Sequence, residues 1–301
     1  MTATGEVATA RPVEATPKPS HREPARSPIY LATAFIAVLW SIPSVGLLIN
    51  SFRAPNAIRA TGWWTVFGHF FDSATWTLEN YRTVLDEGFG NAFANSLAVT
   101  IPAVVIPITV AAFAAYAFAW MDFPGRNVLF ITVVGLMVVP LQMALVPIYR
   151  IYTGLDLNGT FPAIWLAHAG FGLPLAVYLL RNYMGSLPSS LIESAKIDGA
   201  SHYGIFTRLI VPLSTPVLAA FAIFQFLWVW NDYLVALVFL GVANPDNAVL
   251  TVELANLAGR GEGALSLLPA AAFVTMVLPL VVFFSLQRYF VRGLTAGSVK
   301  G

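Results

Sequence analysis

The sequence contains no cysteine in 301 residues, which excludes disulfides and thiolate metal sites. Charge is scarce: 10% of residues are Asp, Glu, Lys or Arg, against about 25% in a soluble domain. The net charge is +1, so bulk electrostatics give no case for a nucleic-acid partner. No G-x-x-x-x-G-K-[ST] stretch occurs, so the chain has no P-loop of its own to hold a nucleotide. No H-E-x-x-H occurs, no acidic or histidine cluster suggests a metal, and no Ser/His/Asp arrangement is readable. These absences leave catalytic residues, metal ligands and a directly bound cofactor without candidates, and they argue against an intramembrane enzyme.

What is abundant is apolar surface, at 57% of residues. A stretch of about 20 apolar residues is the length that crosses a bilayer as a helix. Six such stretches occur, near residues 28–50, 92–119, 128–149, 161–181, 213–240 and 269–291. The expected fold class is therefore all-α, a polytopic membrane protein with six transmembrane helices embedded in the lipid bilayer. Prolines inside the stretches (Pro43, Pro102, Pro107, Pro140, Pro147, Pro174, Pro279) are tolerated where neighbouring helices re-satisfy the freed carbonyls. Residues 1–27 are rich in Ala, Thr, Pro and charge and read as a disordered tail. They lack the apolar stretch and cleavage site of a signal peptide, so the run that starts near Pro28 is expected to be retained.

Arginine and lysine orient the spans. With the N-terminus inside, the inner segments hold Arg11, Lys18, Arg22, Arg26, Arg126, Arg181, Lys196, Arg208, Arg288, Arg292 and Lys300. The outer segments hold Arg53, Arg59, Arg82, Arg150 and Arg260. The bias places both termini in the cytoplasm, together with the polar loop 182–212. Arginine outnumbers lysine and alanine is abundant, which points to a GC-rich bacterial genome; with the resemblance given below, the membrane is expected to be a bacterial inner membrane. Residues 51–91 carry Trp63, Trp64, Trp76 and Tyr81, side chains that favour the membrane interface, so part of this segment is expected along the outer surface. Residues 241–268 form a long external loop of a length uncommon without a function.

The polar stretch Glu193–Pro216, ESAKIDGASHYGIFTRLIVPLSTP, lies between the fourth and fifth spans. Ser190 stands three residues before Glu193, a capping-box spacing that predicts a helix from about Leu191 to Asp198. Asp198-Gly199 is a turn signal, and Gly199 can take the positive φ that ends a helix. A second helix is predicted from about Ser201 to Leu209, with Pro212 and Pro216 marking entry into the fifth span. The stretch resembles the EAA loop of ABC importer permeases. Its matching positions are Glu193, Ser194, Ala195, Asp198, Gly199 and Ala200, followed by Pro212, Leu213 and Pro216. Ser194 replaces the usual Ala with another small residue.

The resemblance extends over about residues 28–301 and is to the second permease subunit of carbohydrate importers, the MalG type, with an ABC type I importer (MetI-like) fold. The ending QRYFVRGLTAGSVKG, Asn95-Ser96 and Trp230-Asn231-Asp232 also look like that subunit. The resemblance implies that the loop docks in a cleft of an ATPase subunit, with Glu193 contacting it and Gly199 shaping the turn. It implies that a flexible tail step, Gly293, Leu294, Thr295, Ala296 and Gly297, reaches the ATPase interface. It further implies a homologous second permease, two ATPase subunits that bind ATP and Mg, and an external sugar-binding protein that meets residues 241–268. The cargo it suggests is a disaccharide or α-glucoside.

Asn231 and Asp232 are candidates for the substrate path, although Asp232 suits a packing role equally, since a carboxylate in a span needs a partner or a cavity. Trp228 and Trp230 suit either a sugar face or packing, and His168 is expected to be a hydrogen-bonded structural residue. Three other readings stand beside this one: an ABC permease for a non-sugar solute such as a polyamine or phosphate, a proton-coupled secondary transporter, and a membrane scaffold.

Overall fold

The computed structural model describes residues 26–241 and 245–295. The N-terminal stretch read as a tail therefore lies outside the described residues up to residue 25, and Arg26 and Ser27 already belong to a helix. Among the described residues the regular structure is helical apart from one isolated antiparallel bridge between Arg53 and Trp76. It divides into two units, Met1–Val45 and Gly46–Gly301. The first holds most of α1 (Arg26–Ser51), which keeps Pro43 within the helix. Everything below concerns the second unit.

After α2 (Pro55–Ala60) and a 3₁₀ turn at Trp63–Gly68, α3 (Glu79–Val84) leads through a π turn into α4 (Gly90–Trp120). α5 (Arg126–Gly135) and α6 (Leu141–Gly154) are two halves of one apolar stretch, α7 (Phe161–Gly185) is continuous, and α8 (Ser189–Ile197) and α9 (His202–Ile205) make the polar corner. A π turn and α10 (Val211–Leu213) join that corner to α11 (Thr215–Trp230). α12 (Leu234–Phe239), α13 (Leu250–Gly259) and α14 (Leu268–Thr295) complete the chain. Four helices are long and apolar enough to cross a membrane, and two bent pairs bring the number to six if each is one span.

The bends have local causes. Pro102, Pro107, Pro174 and Pro279 stay inside unbroken helices. Pro140 does not: Val139 is extended (φ −70°, ψ 116°), as a residue before proline prefers, and α5 and α6 meet at 104°. The entry into span five bends by 71° between Leu213 and Thr215, and the span breaks again between Trp230 and Leu234.

The long helices pack through small residues. Ala103, Ala111 and Ala115 of α4 and Ala163, Ala167 and Ala176 of α7 are all buried. Between membrane helices, close backbone approach of this kind replaces the missing hydrophobic drive. Gln225 of α11 bridges the pair, donating from Nε2 to the carbonyls of Ala103 (3.2 Å) and His168 (3.3 Å). Gly172 makes room for it, since a Cβ there would lie 2.6 Å from Gln225 Oε1.

Of the stretch expected as a long loop at 241–268, residues 245–268 fold down instead. Leu250, Val252 and Leu257 of α13 are buried. Leu250 N donates to Ser96 Oγ (2.9 Å), and Asn95 Nδ2 donates to the carbonyls of Asp246 (2.6 Å) and Ala248 (3.0 Å). Asn95 and Ser96, which sequence reading tied only to a family pattern, are therefore the clasp that seats this segment on α4.

Candidate functional site

The corner between α8 and α9 is built by backbone capping. α8 ends in a Schellman arrangement: Ala200 N donates to the Ala195 carbonyl and Gly199 N to the Lys196 carbonyl, both at 3.0 Å. Gly199 has φ 77°, the left-handed conformation expected of it. Ser201 then caps α9, its hydroxyl accepting from Gly204 N at 3.2 Å. The predicted capping box does not form. α8 starts at Ser189 behind Pro188, whose side chain cannot cap, and Glu193 is left exposed in the middle of the helix. A proline fixes the entry φ of the chain by itself, so the helix begins two residues before the capping box would start it. The second helical segment is also longer than predicted, running from His202 to Leu213 through its π turn.

One face of the corner is anchored. Ile192, Ile205, Phe206 and Ile210 are buried against Tyr116 of α4 and Leu180 and Met184 of α7. Phe206 stacks on Phe113 with ring centroids 4.6 Å apart. Tyr116 Oη and His202 Nδ1 are 2.9 Å apart, and Tyr183 Oη donates to the Leu213 carbonyl at 3.2 Å. Each buried aliphatic side chain contributes about 1.5–3 kcal/mol where it would otherwise face water.

The other face is open. Glu193, Ser194, Asp198, Gly199 and Ala200 are exposed, and Ala195 is half-buried. Ile197 is 85% and Tyr203 71% exposed. Ala195, Ala200, Ser201, Tyr203, Gly204 and Arg208 line a concavity of about 490 Å³. Ala195, Ala200 and Gly204 in its lining allow close approach by another backbone, and Arg208 adds one cation. The structure thus brings the six motif positions together at one exposed corner. Tyr203 and Arg208 join them on this side and Tyr116 and His202 tie the anchored side, roles that the sequence did not assign. Tyr116 sits in an apolar run, and only the folded proximity of α4 and α9 gives it a role.

Asn231 and Asp232 lie at the break in span five. Asn231 is exposed and donates to the Leu227 carbonyl at 2.7 Å. Asp232 Oδ2 accepts from Ala236 N at 3.0 Å, closing the start of α12, and lies 3.7 Å from His168 Nε2, beyond hydrogen-bonding distance. The Asp232 carbonyl accepts from Thr251 Oγ1 of α13 at 2.6 Å. The expectation of a hydrogen-bonded His168 ring fails: both ring nitrogens are buried without a partner, and the ring meets Trp228 edge-on at 5.5 Å. Trp230 is a packing residue, buried with its N–H donating to the Thr275 carbonyl at 2.9 Å. The tail step differs from expectation too. Gly293, Leu294 and Thr295 continue α14 as helix, because one glycine costs a helix only about 1 kcal/mol, while Ala296 and Gly297 lie outside the described residues.

Comparison with known proteins agrees with this architecture. The chain is 58% identical to the osmoprotective compounds uptake permease protein GgtD of Synechocystis sp., over 91% of this chain and 92% of that one. It is 43% identical to the alpha-glucoside transport system permease protein AglG of Rhizobium meliloti, covering 94% and 99% of the two chains. A crystal structure of a bacterial ABC transporter that imports the acidic polysaccharide alginate contains a chain of the same fold, with a TM-score of 0.63 at 15% identity over 89% of this chain and 96% of that one. Residues 93–296, which include the whole corner, match one family throughout. The chain belongs to the binding-protein-dependent transport system inner membrane components, the permease subunits of ABC importers.

Proposed function

We propose that this chain forms one half of the translocation pore of an ATP-driven sugar importer in a bacterial inner membrane, with both termini in the cytoplasm. A homologous permease supplies the other half. Two ATPase subunits bind ATP and Mg below, one of them on residues 190–212, and an external binding protein delivers the sugar. The observation that carries this reading is the two-faced corner. Its inner face is fastened to α4 and α7 by Ile192, Ile205, Phe206 and the Tyr116–His202 contact, while its outer face presents Glu193 to Ala200 uncovered. A partner that closes on the outer face moves the span cores through the inner one.

For the cargo, the relative at 43% identity is a transporter of alpha-glucosides and that at 58% takes up osmoprotective compounds. One chemistry satisfies both, a small α-glucoside that serves as a compatible solute. The test is uptake of labelled α-glucosides by cells carrying or lacking this chain, with and without added salt. Loss of α-glucoside uptake on deletion supports the cargo, whereas unchanged sugar uptake with loss of polyamine or phosphate uptake contradicts it. A proton-coupled carrier would need a relay through the spans. Asp232 is already engaged in closing α12, and uptake that survives ATP depletion would be required to revive that reading.

A further inference from the structure

The apolar run of α1 ends at Ile49, and Asn50, Ser51 and Arg53 follow. The chain then turns back alongside the helix instead of rising away from it. The indole of Trp63 lies across Gly46, where a Cβ would come within 2.7 Å of Trp63 Nε1. Gly46 precedes Ile49 by three residues, so the ring sits about 4.5 Å inside the end of the apolar run at 1.5 Å rise per residue. A segment lying in the interface buries its apolar face about 5–10 Å into the headgroup and acyl boundary.

The composition of Trp63–Phe71, WWTVFGHFF, suits that depth. It contains no Asp, Glu, Lys or Arg. Val66 faces inward and is buried, while Phe71 is 99%, Phe67 69% and Trp64 63% exposed. The rings touch edge to face, Trp63 with Trp64 and Phe67 at 6.1 Å and Phe70 with Phe71 at 5.4 Å. In water these rings would make an apolar patch of the kind soluble surfaces avoid. Among headgroups they stand where aromatic side chains are enriched.

The segment is braced from within. The buried guanidinium of Arg53 donates to Asn50 Oδ1 (2.9 Å) and to the carbonyls of Ala57 (3.1 Å) and Thr61 (3.3 Å), and it reaches the hydroxyls of Thr61 and Thr65. These bonds gather α2 and the 3₁₀ turn around the end of α1. Asn80 Nδ2 donates to the Arg53 carbonyl at 2.8 Å and fastens the assembly to α3.

We propose that Trp63–Phe71 is a membrane-interface anchor, immersed in the lipid headgroup layer where the first span ends and held folded by Arg53. The proposal requires only that α1 spans the bilayer, and it is independent of cargo and of the ATPase contact. The absence of native cysteine makes a direct test available. Phe67→Cys and Phe71→Cys, each spin-labelled in the assembled transporter in lipid nanodiscs, should be more accessible to oxygen than to a water-soluble nickel complex. Greater accessibility to nickel places the segment in water and overturns the proposal. Low accessibility to both places it under the second permease or the binding protein and overturns it equally. A second measurement leaves the aromatic character in place. Trp64→Phe removes one of eight tryptophans, and in bilayers with lipids brominated near the headgroups the lost emission should belong to the quenched fraction. Lost emission that is unquenched contradicts the anchor.

Discussion

Gly199 and Arg53 show what a single position reveals before folding and what it hides. A Cβ on Gly199 would meet nothing within 4 Å, so the glycine is required by its φ of 77° and not by space. An L-residue in that conformation costs about 1–2 kcal/mol, more for a β-branched one, whereas asparagine tolerates it. Gly199→Val should therefore insert normally yet lower ATP-driven uptake about tenfold, equivalent to about 1.4 kcal/mol of coupling. Gly199→Asn should stay near the parent. Uptake assays on reconstituted protein check this, and normal uptake by the valine variant removes the coupling role. The turn at Asp198-Gly199 was legible because its chemistry is local. The capping box expected of Ser190 and Glu193 does not form because Pro188, just upstream, sets the start of the helix instead. Arg53 reads as one more outer charge in the sequence. Its burial depends on Thr61 and Thr65, which reach it only after α2 folds back.

Among the elements, α8 and the His202–Leu213 segment share a core with α4 and α7, which is what would make the corner a lever under the proposed function. Tyr116 is a polar tie in that core, 2.9 Å from His202 Nδ1. Tyr116→Phe keeps the ring against Phe206 and deletes one hydrogen bond worth about 0.5–1.5 kcal/mol. Sugar imported per ATP hydrolysed should then fall by about fivefold while ATP turnover continues, a loss of about 1 kcal/mol. An unchanged ratio would make the contact purely structural. Apolar length alone located the helices, but it does not say which proline breaks one. Pro102 and Pro174 lie in helices that pack closely on each other, where neighbours can satisfy freed carbonyls. Pro140 has extended backbone before it and starts a new helix. The folding-down of 245–268 is equally hidden, since Asn95 and Ser96, which seat it, lie 151 and 154 residues before the backbone they hold.

For the whole molecule, the family match over residues 93–296 makes this a permease subunit, and the proposed function assigns the motor contact to the corner. The most direct measurement uses the same freedom from cysteine. Ile197→Cys, on the open face of the corner, carries a benzophenone maleimide in native membranes, and the irradiated complex is purified in mild detergent for mass spectrometry. The account predicts adducts between residue 197 and an ATPase subunit, with a second permease present in stable ratio. A chain that is purified alone, labels only lipid, and still transports after reconstitution without ATP would contradict it.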